Sequence, residues 1–245
     1  MKENKYDDNV FFEKYSRMSR SREGLKGAGE WETLQRLLPD FQGRQVLDLG
    51  CGYGWHAIYA AEKGAQRVIA TDISAKMLEQ AQNINRHPRI DYRREAFEDS
   101  RFPADSFDIV LCSLMLHYLE SFDDFLDKVR LWLKPAGFLV FTVEHPVFTA
   151  YGTQDWCYDE KGTILHFPVD HYFSQGKRRA LFLGEEVTKY HRTLTTYLDT
   201  LLRRGFRLLR VVEPQPSEEL LRQVPDMKEE LRRPMMLIVL AQKDA

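Results

Sequence analysis

Three glycines at alternate positions, Gly50, Gly52 and Gly54, follow one acid, Asp48, and precede another, Asp72. Residues 46–54 (VLDLGCGYG) run from apolar side chains straight into the glycines. A turn of this kind lets a ligand approach the backbone, because no Cβ stands in the way. Asp72 closes the next apolar run, Val68, Ile69 and Ala70, at the distance along the chain where nucleotide-binding α/β folds place an acid on ribose hydroxyls. A carboxylate suits that role because it accepts two hydrogen bonds at once. The glycine spacing is not the GxGxxG dinucleotide fingerprint, which disfavours a nicotinamide dehydrogenase. The other side chains able to do chemistry are histidines: His117, His145 with Glu144 beside it, and His191. Imidazole takes and gives protons near neutral pH, as a general base must.

These residues need a scaffold that brings them together. Val46, Leu47 and Leu49 suit a strand buried on both faces, and residues 55–63 then read as a helix. Ser74 is placed to cap a helix through Met77, Leu78 and Ala81. Residues 90–93 make a short strand, and residues 107–113 (FDIVLCS) a stronger one. Ser121 caps a helix whose Phe122, Phe125, Leu126, Val129 and Leu133 recur at helical spacing. Pro135 and Gly137 would stop it before a strand over residues 138–143. The alternation implies right-handed crossovers and a doubly wound α/β sheet with helices on both faces. Ligands bind such sheets beyond the carboxyl ends of the strands. That rule places the glycine turn, Asp72, His117 after the fourth strand and Glu144–His145 after the fifth on one edge. His191 precedes a helix over residues 193–204, whose N-terminus belongs on the same edge, where its macrodipole would hold the imidazole neutral. Each histidine has a structural alternative: His117 orients its loop, His145 satisfies backbone before Pro146, and His191 starts a helix. A metal site from Glu144, His145 and His191 lacks close ligand spacing.

Ahead of the glycine turn, a helix starting after Asp8 or Asn9 sets Phe11, Phe12 and Tyr15 on one side. The glycine-rich SREGLKGAGEW and a helix over 31–38, ended by Pro39, follow. Between 145 and 189 the rhythm breaks into aromatics, glycines and histidines, with 164–173 and 179–183 expected to pair about a turn at 174–176. Loops this long inside a compact domain often serve as lids. His166 and His171 read as surface or packing residues of that segment. Strands over 206–212 and 236–240 complete the sheet. A chain of 245 residues, 43% hydrophobic and 29% charged, fits one domain, divided into a helical cap (1–40), a core (41–144), an insertion or lid after the fifth strand (145–190) and the rest of the sheet (191–245). A net charge of −2 gives no general pull toward nucleic acid. No apolar run reaches the roughly 18 residues of a membrane span, and the N-terminus is too polar for a secretory signal. Three cysteines, Cys51, Cys112 and Cys157, far apart, indicate neither a disulfide framework nor a zinc site. A cytoplasmic monomer or homodimer is expected.

From Gln45 to Leu240, the order of elements together with VLDLGCGYG resembles the class I S-adenosylmethionine-dependent methyltransferases. Within them, GAGEW before the fold and VEHPVF after the fifth strand resemble a bacterial type 11-like group. The resemblance implies a Rossmann-like sheet of seven mostly parallel strands with an antiparallel strand near the end, S-adenosyl-L-methionine as cofactor and S-adenosyl-L-homocysteine as product. It implies that Asp48 faces the amino end of the methionine part, with Gly50, Cys51, Gly52 and Gly54 as the loop beneath. Asp72 would bind both ribose hydroxyls, and Ile73 would pack on the adenine. Residues 95–110 (EAFEDSRFPADSFDIV) look like the third and fourth motifs, putting Ala96 and Phe97 where family members offer an acid and a small residue. Glu98 would replace that acid, or Phe97 would bind through backbone and ring. Ser113 and Tyr15 join the expected cofactor set. The residues after the fourth strand, LMLHYL, lack the Asn- or Asp-Pro-Pro-aromatic signature used on exocyclic amines of nucleobases or glutamine. Methylation of a small molecule under an aromatic insertion is the leading expectation, with His145, His191 or His117 as base. A protein or RNA methyltransferase is the alternative, which a basic rim of Lys177, Arg178, Arg179, Lys189 and Arg192 would favour. A non-catalytic S-adenosylmethionine-binding protein is the third.

Overall fold

Strands made of unbroken apolar residues must be covered on both faces, and the chain meets that demand with crossover helices. The structure, a computed structural model that describes residues 4–244, contains a seven-stranded sheet. Its strands are β1 (Gln45–Leu49), β2 (Arg67–Asp72), β3 (Ile90–Arg94), β4 (Phe107–Ser113), β5 (Leu133–Glu144), β10 (Phe206–Val212) and β11 (Met236–Lys243). They lie in the order β10-β11-β5-β4-β1-β2-β3. The run from β3 to β5 is parallel, whereas β11 is antiparallel to both β5 and β10. The first helices are α1 (Asn9–Ser16), α2 (Ser19–Arg22), α3 (Trp31–Leu37), α4 (Trp55–Glu62) and α5 (Ala75–Ile84). The later ones are α6 (Phe122–Trp132), α7 (Pro146–Thr149), α8 (Leu194–Arg203) and α9 (Glu218–Gln223).

Alternation along the strands divides the core between the two faces. Leu47, Leu49, Val110, Phe141 and Val143 pack against Phe125, Val129, Trp132 and Tyr197 of α6 and α8. Val46, Val68, Ala70, Ile109 and Val140 face Ala57, Ala60 and Ala61, small residues that let α4 lie close to the sheet. Ser74, Ser121, Thr193 and Ser217 each accept the amide of the residue three positions on, which satisfies a donor that the first helical turn leaves unpaired.

Two boundaries differ from the sequence reading. Helix α6 ends at Trp132, and β5 already begins at Leu133, which is fully buried and paired with Phe107. Leu133 is thus a strand residue in the core and not the last apolar position of the helix. In the insertion, 164–173 does not pair with 179–183. Instead β8 (Gly176–Phe182) pairs with β9 (Glu185–His191) around Leu183 and Gly184, both at positive φ, 54° and 76°. A two-residue turn of that shape matches the twist of a hairpin. A smaller pair joins β6 (Cys157–Tyr158) to β7 (Ile164–His166).

The N-terminal segment closes over the sheet edge. Asp8 caps α1 by accepting the Phe11 amide, and the Phe11 ring is fully buried against Ala180 and Val187 of the β8–β9 hairpin. Asp7 reaches the first turn of α5, where its carboxylate accepts the Ser74 hydroxyl (2.6 Å) and the Lys76 amide (3.1 Å). This segment therefore ties α5 to the insertion. Truncating the ring, as in Phe11→Ala, removes contacts of the size that cost about 3–5 kcal/mol in a core. Limited proteolysis should then cut residues 1–30 well before the sheet, whereas equal resistance to wild type would mean that this joint carries no load.

Candidate active site

The carboxyl ends of β1, β2, β4 and β5 open into a cavity of about 420 Å³, within the roughly 300–1,000 Å³ of small-ligand sites. After β1 the chain turns through Gly50, Gly52 and Gly54 at φ of +68°, +53° and +75°. The three glycines answer different demands. A Cβ on Gly50 would lie 2.9 Å from the Met115 side chain, and one on Gly54 would lie 2.3 Å from the Tyr92 hydroxyl oxygen. A Cβ on Gly52 would meet nothing within 4 Å; Gly52 lines the cavity, and its bare backbone leaves room for a ligand. The loop is pinned by the Cys51 amide donating to the Thr71 carbonyl (2.9 Å) and the Gly52 amide donating to Asp72 Oδ2 (2.8 Å). Asp72 Oδ1 accepts the Ser74 amide (2.8 Å). Each Asp72 oxygen keeps a lone pair for a further donor.

Burial raises the Asp72 carboxyl to about 6 against the pull of these amides, with the Asp7 charge adding to the rise. Asp48 lies deeper, 1% exposed. Burial and the charge on Asp72 raise it to about 7, while the Ala57 amide acts the other way. Neither Asp48 oxygen has a hydrogen bond of good geometry among the described residues, and Asp48 does not line the cavity. Asp48 thus lies behind the cavity lining, next to the glycine loop in sequence. Gly54 is also behind the lining, against Tyr92.

Ile73, Ala96, Phe97 and Glu98 line the cavity, as do Gly50, Cys51, Gly52 and Tyr15. The Phe97 ring is braced by Phe125 and Trp132 at 5.3 and 5.9 Å between centroids. Ser113 lines the middle, its hydroxyl 2.9 Å from that of Thr142. Sequence reasoning missed Tyr6, Met115 and the Arg20–Glu30 ion pair (3.0 Å), all on the same cavity. Arg20 and Glu30 flank a glycine-rich stretch with no recognisable spacing, so nothing in the sequence marks them as partners.

The histidines separate. His117 sits in the 3-10 turn Leu116–Tyr118 after β4, is 3% exposed and lines the cavity. Its Nδ1 has no hydrogen-bond partner among the described residues. Burial pulls its pKa to about 4, while the Glu144 charge opposes that fall. His145 does not line the cavity. Its Nδ1 accepts the Val147 amide at the start of α7, and its Nε2 lies 2.9 Å from Glu213. Glu144 does not orient it: that carboxylate takes Lys189 Nζ at 2.6 Å and Gln154 Nε2 at 2.7 Å. His191 ends β9 and also lies off the cavity. Its Nε2 is 2.8 Å from the Tyr172 carbonyl, to which it must donate, so Nδ1 accepts the Thr149 hydroxyl at 2.7 Å. Thr193, not His191, caps α8, and burial, joined by the charges of Arg178 and Arg192, lowers the His191 pKa. Neither ring lines the cavity, and both ring nitrogens of His191 are hydrogen-bonded within the protein. The rim that would favour a protein or RNA acceptor is only partly exposed: Lys177 and Arg179 face solvent and Arg178 is half-buried. Lys189 and Arg192 are buried, and Arg179 faces Glu186 at 3.6 Å.

Solved structures with this fold bear on the family. A candidate S-adenosylmethionine-dependent methyltransferase from Listeria monocytogenes is 52% identical, with a TM-score of 0.86 over 91% of this chain and 100% of its own. An S-adenosylmethionine-dependent methyltransferase from Mesorhizobium loti is 39% identical, with a TM-score of 0.83 over 90% of this chain and 100% of its own. The chain belongs to the S-adenosylmethionine-dependent methyltransferases. The family model for a methyltransferase domain matches residues 47–141. An uncharacterised Haemophilus influenzae protein is 30% identical over 249 residues, covering 97% of this chain and 96% of its own. The cofactor is S-adenosylmethionine, and the cavity fits it. Asp72 offers a carboxylate at the end of β2, and the Gly52 backbone is open where a Cβ would intrude. Among the described residues, no helix is long and apolar enough to cross a membrane, and no three acid, histidine or cysteine side chains are grouped to hold a metal ion.

A carboxyl whose pKa is raised on folding binds more protons in the native state, so its contribution to stability falls as pH rises toward the folded value. Without cofactor, Asp48 should therefore cost stability progressively from about pH 4, its unfolded value, to about pH 7. Asp48→Asn should melt higher than wild type at pH 8, and the difference should shrink to nothing near pH 4. Thermal denaturation across this range checks it; a pH-independent difference would show that Asp48 is not raised by burial.

Proposed function

We propose that the protein transfers the methyl group of S-adenosylmethionine to a small molecule held in this cavity, with His117 taking the acceptor's proton. The observation that carries the reading is the His117 ring, buried, neutral at physiological pH and unpartnered at Nδ1, on the same cavity as Gly52 and Asp72. When bound, the cofactor supplies a methyl on sulfur that is already electrophilic. The chain's own task is to hold both reactants, exclude water and receive a proton. Asp72 would hold the ribose, with Ile73 and Phe97 at the adenine. Arg20, the one guanidinium lining the cavity among the described residues, would meet the carboxylate of the methionine part. Met115, packed on Gly50, would sit beside the sulfur. The Glu144 charge favours protonation of His117, and so the imidazolium that forms as the acceptor loses its proton.

Enclosure supports a small acceptor. Tyr6 of the N-terminal segment and Phe182 and Val187 of the hairpin wall the cavity opposite the sheet. Of the cations that would serve a polyanion on a rim, Lys189 and Arg192 are buried, which leaves Lys177, Arg178 and Arg179 on the hairpin. Label from methyl-labelled S-adenosylmethionine should enter the low-mass fraction of a cell extract; label confined to protein or RNA would overturn the small-molecule reading. His117→Ala should leave cofactor affinity intact and lower transfer about 100-fold or more, the scale of general base catalysis. Asp72→Ala should instead weaken cofactor binding, measured by calorimetry. Unchanged transfer in His117→Ala would remove the histidine from the chemistry.

A further inference from the structure

Arg192 is 6% exposed and has no carboxylate partner among the described residues. Its guanidinium donates to three backbone carbonyls: Leu116 through Nη1 (3.1 Å), and Leu119 and Glu120 through Nη2, the Glu120 contact at 2.9 Å. All three belong to the turn that carries His117 and to the residues that lead into α6. The cation also lies 5.9 and 6.0 Å from the ring centres of Phe122 and Tyr197. A buried cation without a counter-ion is costly unless its donors are satisfied, and here carbonyl dipoles satisfy it. A planar fork with five donors in fixed directions holds three carbonyls from two nitrogens, whereas a lysine ammonium offers three donors from one nitrogen on a flexible stem.

We propose that Arg192 is a positioning residue, fastening the His117 turn to the last strand of the insertion so that the imidazole is held at the cavity. This rests on the reading of His117 given above. Arg192 directly follows β9, whose Val187 walls the cavity and whose Lys189 bonds Glu144. The placement of the insertion is thereby transmitted to the turn. The groups facing His117 are Glu144, Lys189, Arg192 and Arg20, with the Tyr118 ring 4.4 Å away. The two cations nearest the insertion and Arg20 oppose protonation of the imidazole, and Glu144 favours it. Removing Arg192 thus acts twice, loosening the turn and taking away a charge that keeps the ring neutral.

The test compares Arg192→Met and Arg192→Lys in the full chain. Hydrogen exchange of a peptide covering residues 114–121 should speed up about tenfold or more in Arg192→Met, as for a locally released segment, and less in Arg192→Lys. Peptides of β1 and β4 should be unchanged. The His117 ring resonance, identified by its loss in His117→Gln, should titrate at a higher pH than in wild type. Exchange that is unaltered at 114–121, or raised equally along the whole chain, would overturn the proposal, as would an unmoved titration. Should Arg192→Met not fold, the lysine variant decides through exchange at 114–121 alone, since it keeps the charge and loses the fork. None of these readouts requires an acceptor. A failure of His117 as the base would appear instead as unchanged transfer in His117→Ala with the Arg192 results as expected.

Discussion

Two backbone amides donate to one carboxylate, and the site is arranged about that contact. Asp72 takes the Gly52 amide on one oxygen and the Ser74 amide on the other, joining the loop after β1 to the start of α5. Parallel strands leave polar backbone at their carboxyl ends, where each chain must turn away from its neighbours. A carboxylate satisfies two such donors and keeps lone pairs for a ligand. The cost is charge in a dry place: burial lifts Asp72, and Asp48 beneath it rises further because Asp72 is there. A cofactor with a sulfonium and an ammonium brings positive charge toward that pair.

The insertion adds a second organising element through the alternation of β9. Val187, Lys189 and His191 all turn inward. The first walls the cavity, the second meets Glu144 and Gln154, and the third is held between Thr149 and the Tyr172 carbonyl. One strand thereby attaches the segment after β5 to the cavity, to the end of β5 and to α7. The ion pair between Lys189 and Glu144 is almost wholly buried, so each charge is balanced by the other at the end of β5.

Much of this was legible in the sequence where it depends on local periodicity. Short apolar runs and serine caps located β1, β2, β4 and the helices between them, because each follows from contacts a few residues apart. The glycine turn and Asp72 were visible for the same reason. The histidines were not separable, since all three were expected at the same edge and only side-chain direction distinguishes them. Glu144 faces the cavity, and His145, one position on, turns to Glu213. The hairpin turn at Leu183–Gly184 was overlooked because a leucine at positive φ gives no signal of its own. Arg20 with Glu30, and Arg192 with the His117 turn, are brought together by tertiary folding, and no spacing announces them.

The joint between α1 and the β8–β9 hairpin has a consequence for assembly. Lys14 meets Glu185 across 171 positions of sequence, and Phe11 is covered by residues equally remote. Contacts of such separation carry a large loop-closure cost and form after nearer ones. Residues 4–16 can rest on α5 through Asp7 but gain their contacts with the insertion only when the hairpin exists. The glycine loop and Asp72 come together within 25 residues of sequence, whereas the wall that Phe182 and Val187 add to the cavity comes from more than 100 residues further on. The floor of the chamber can therefore form before the chamber is closed.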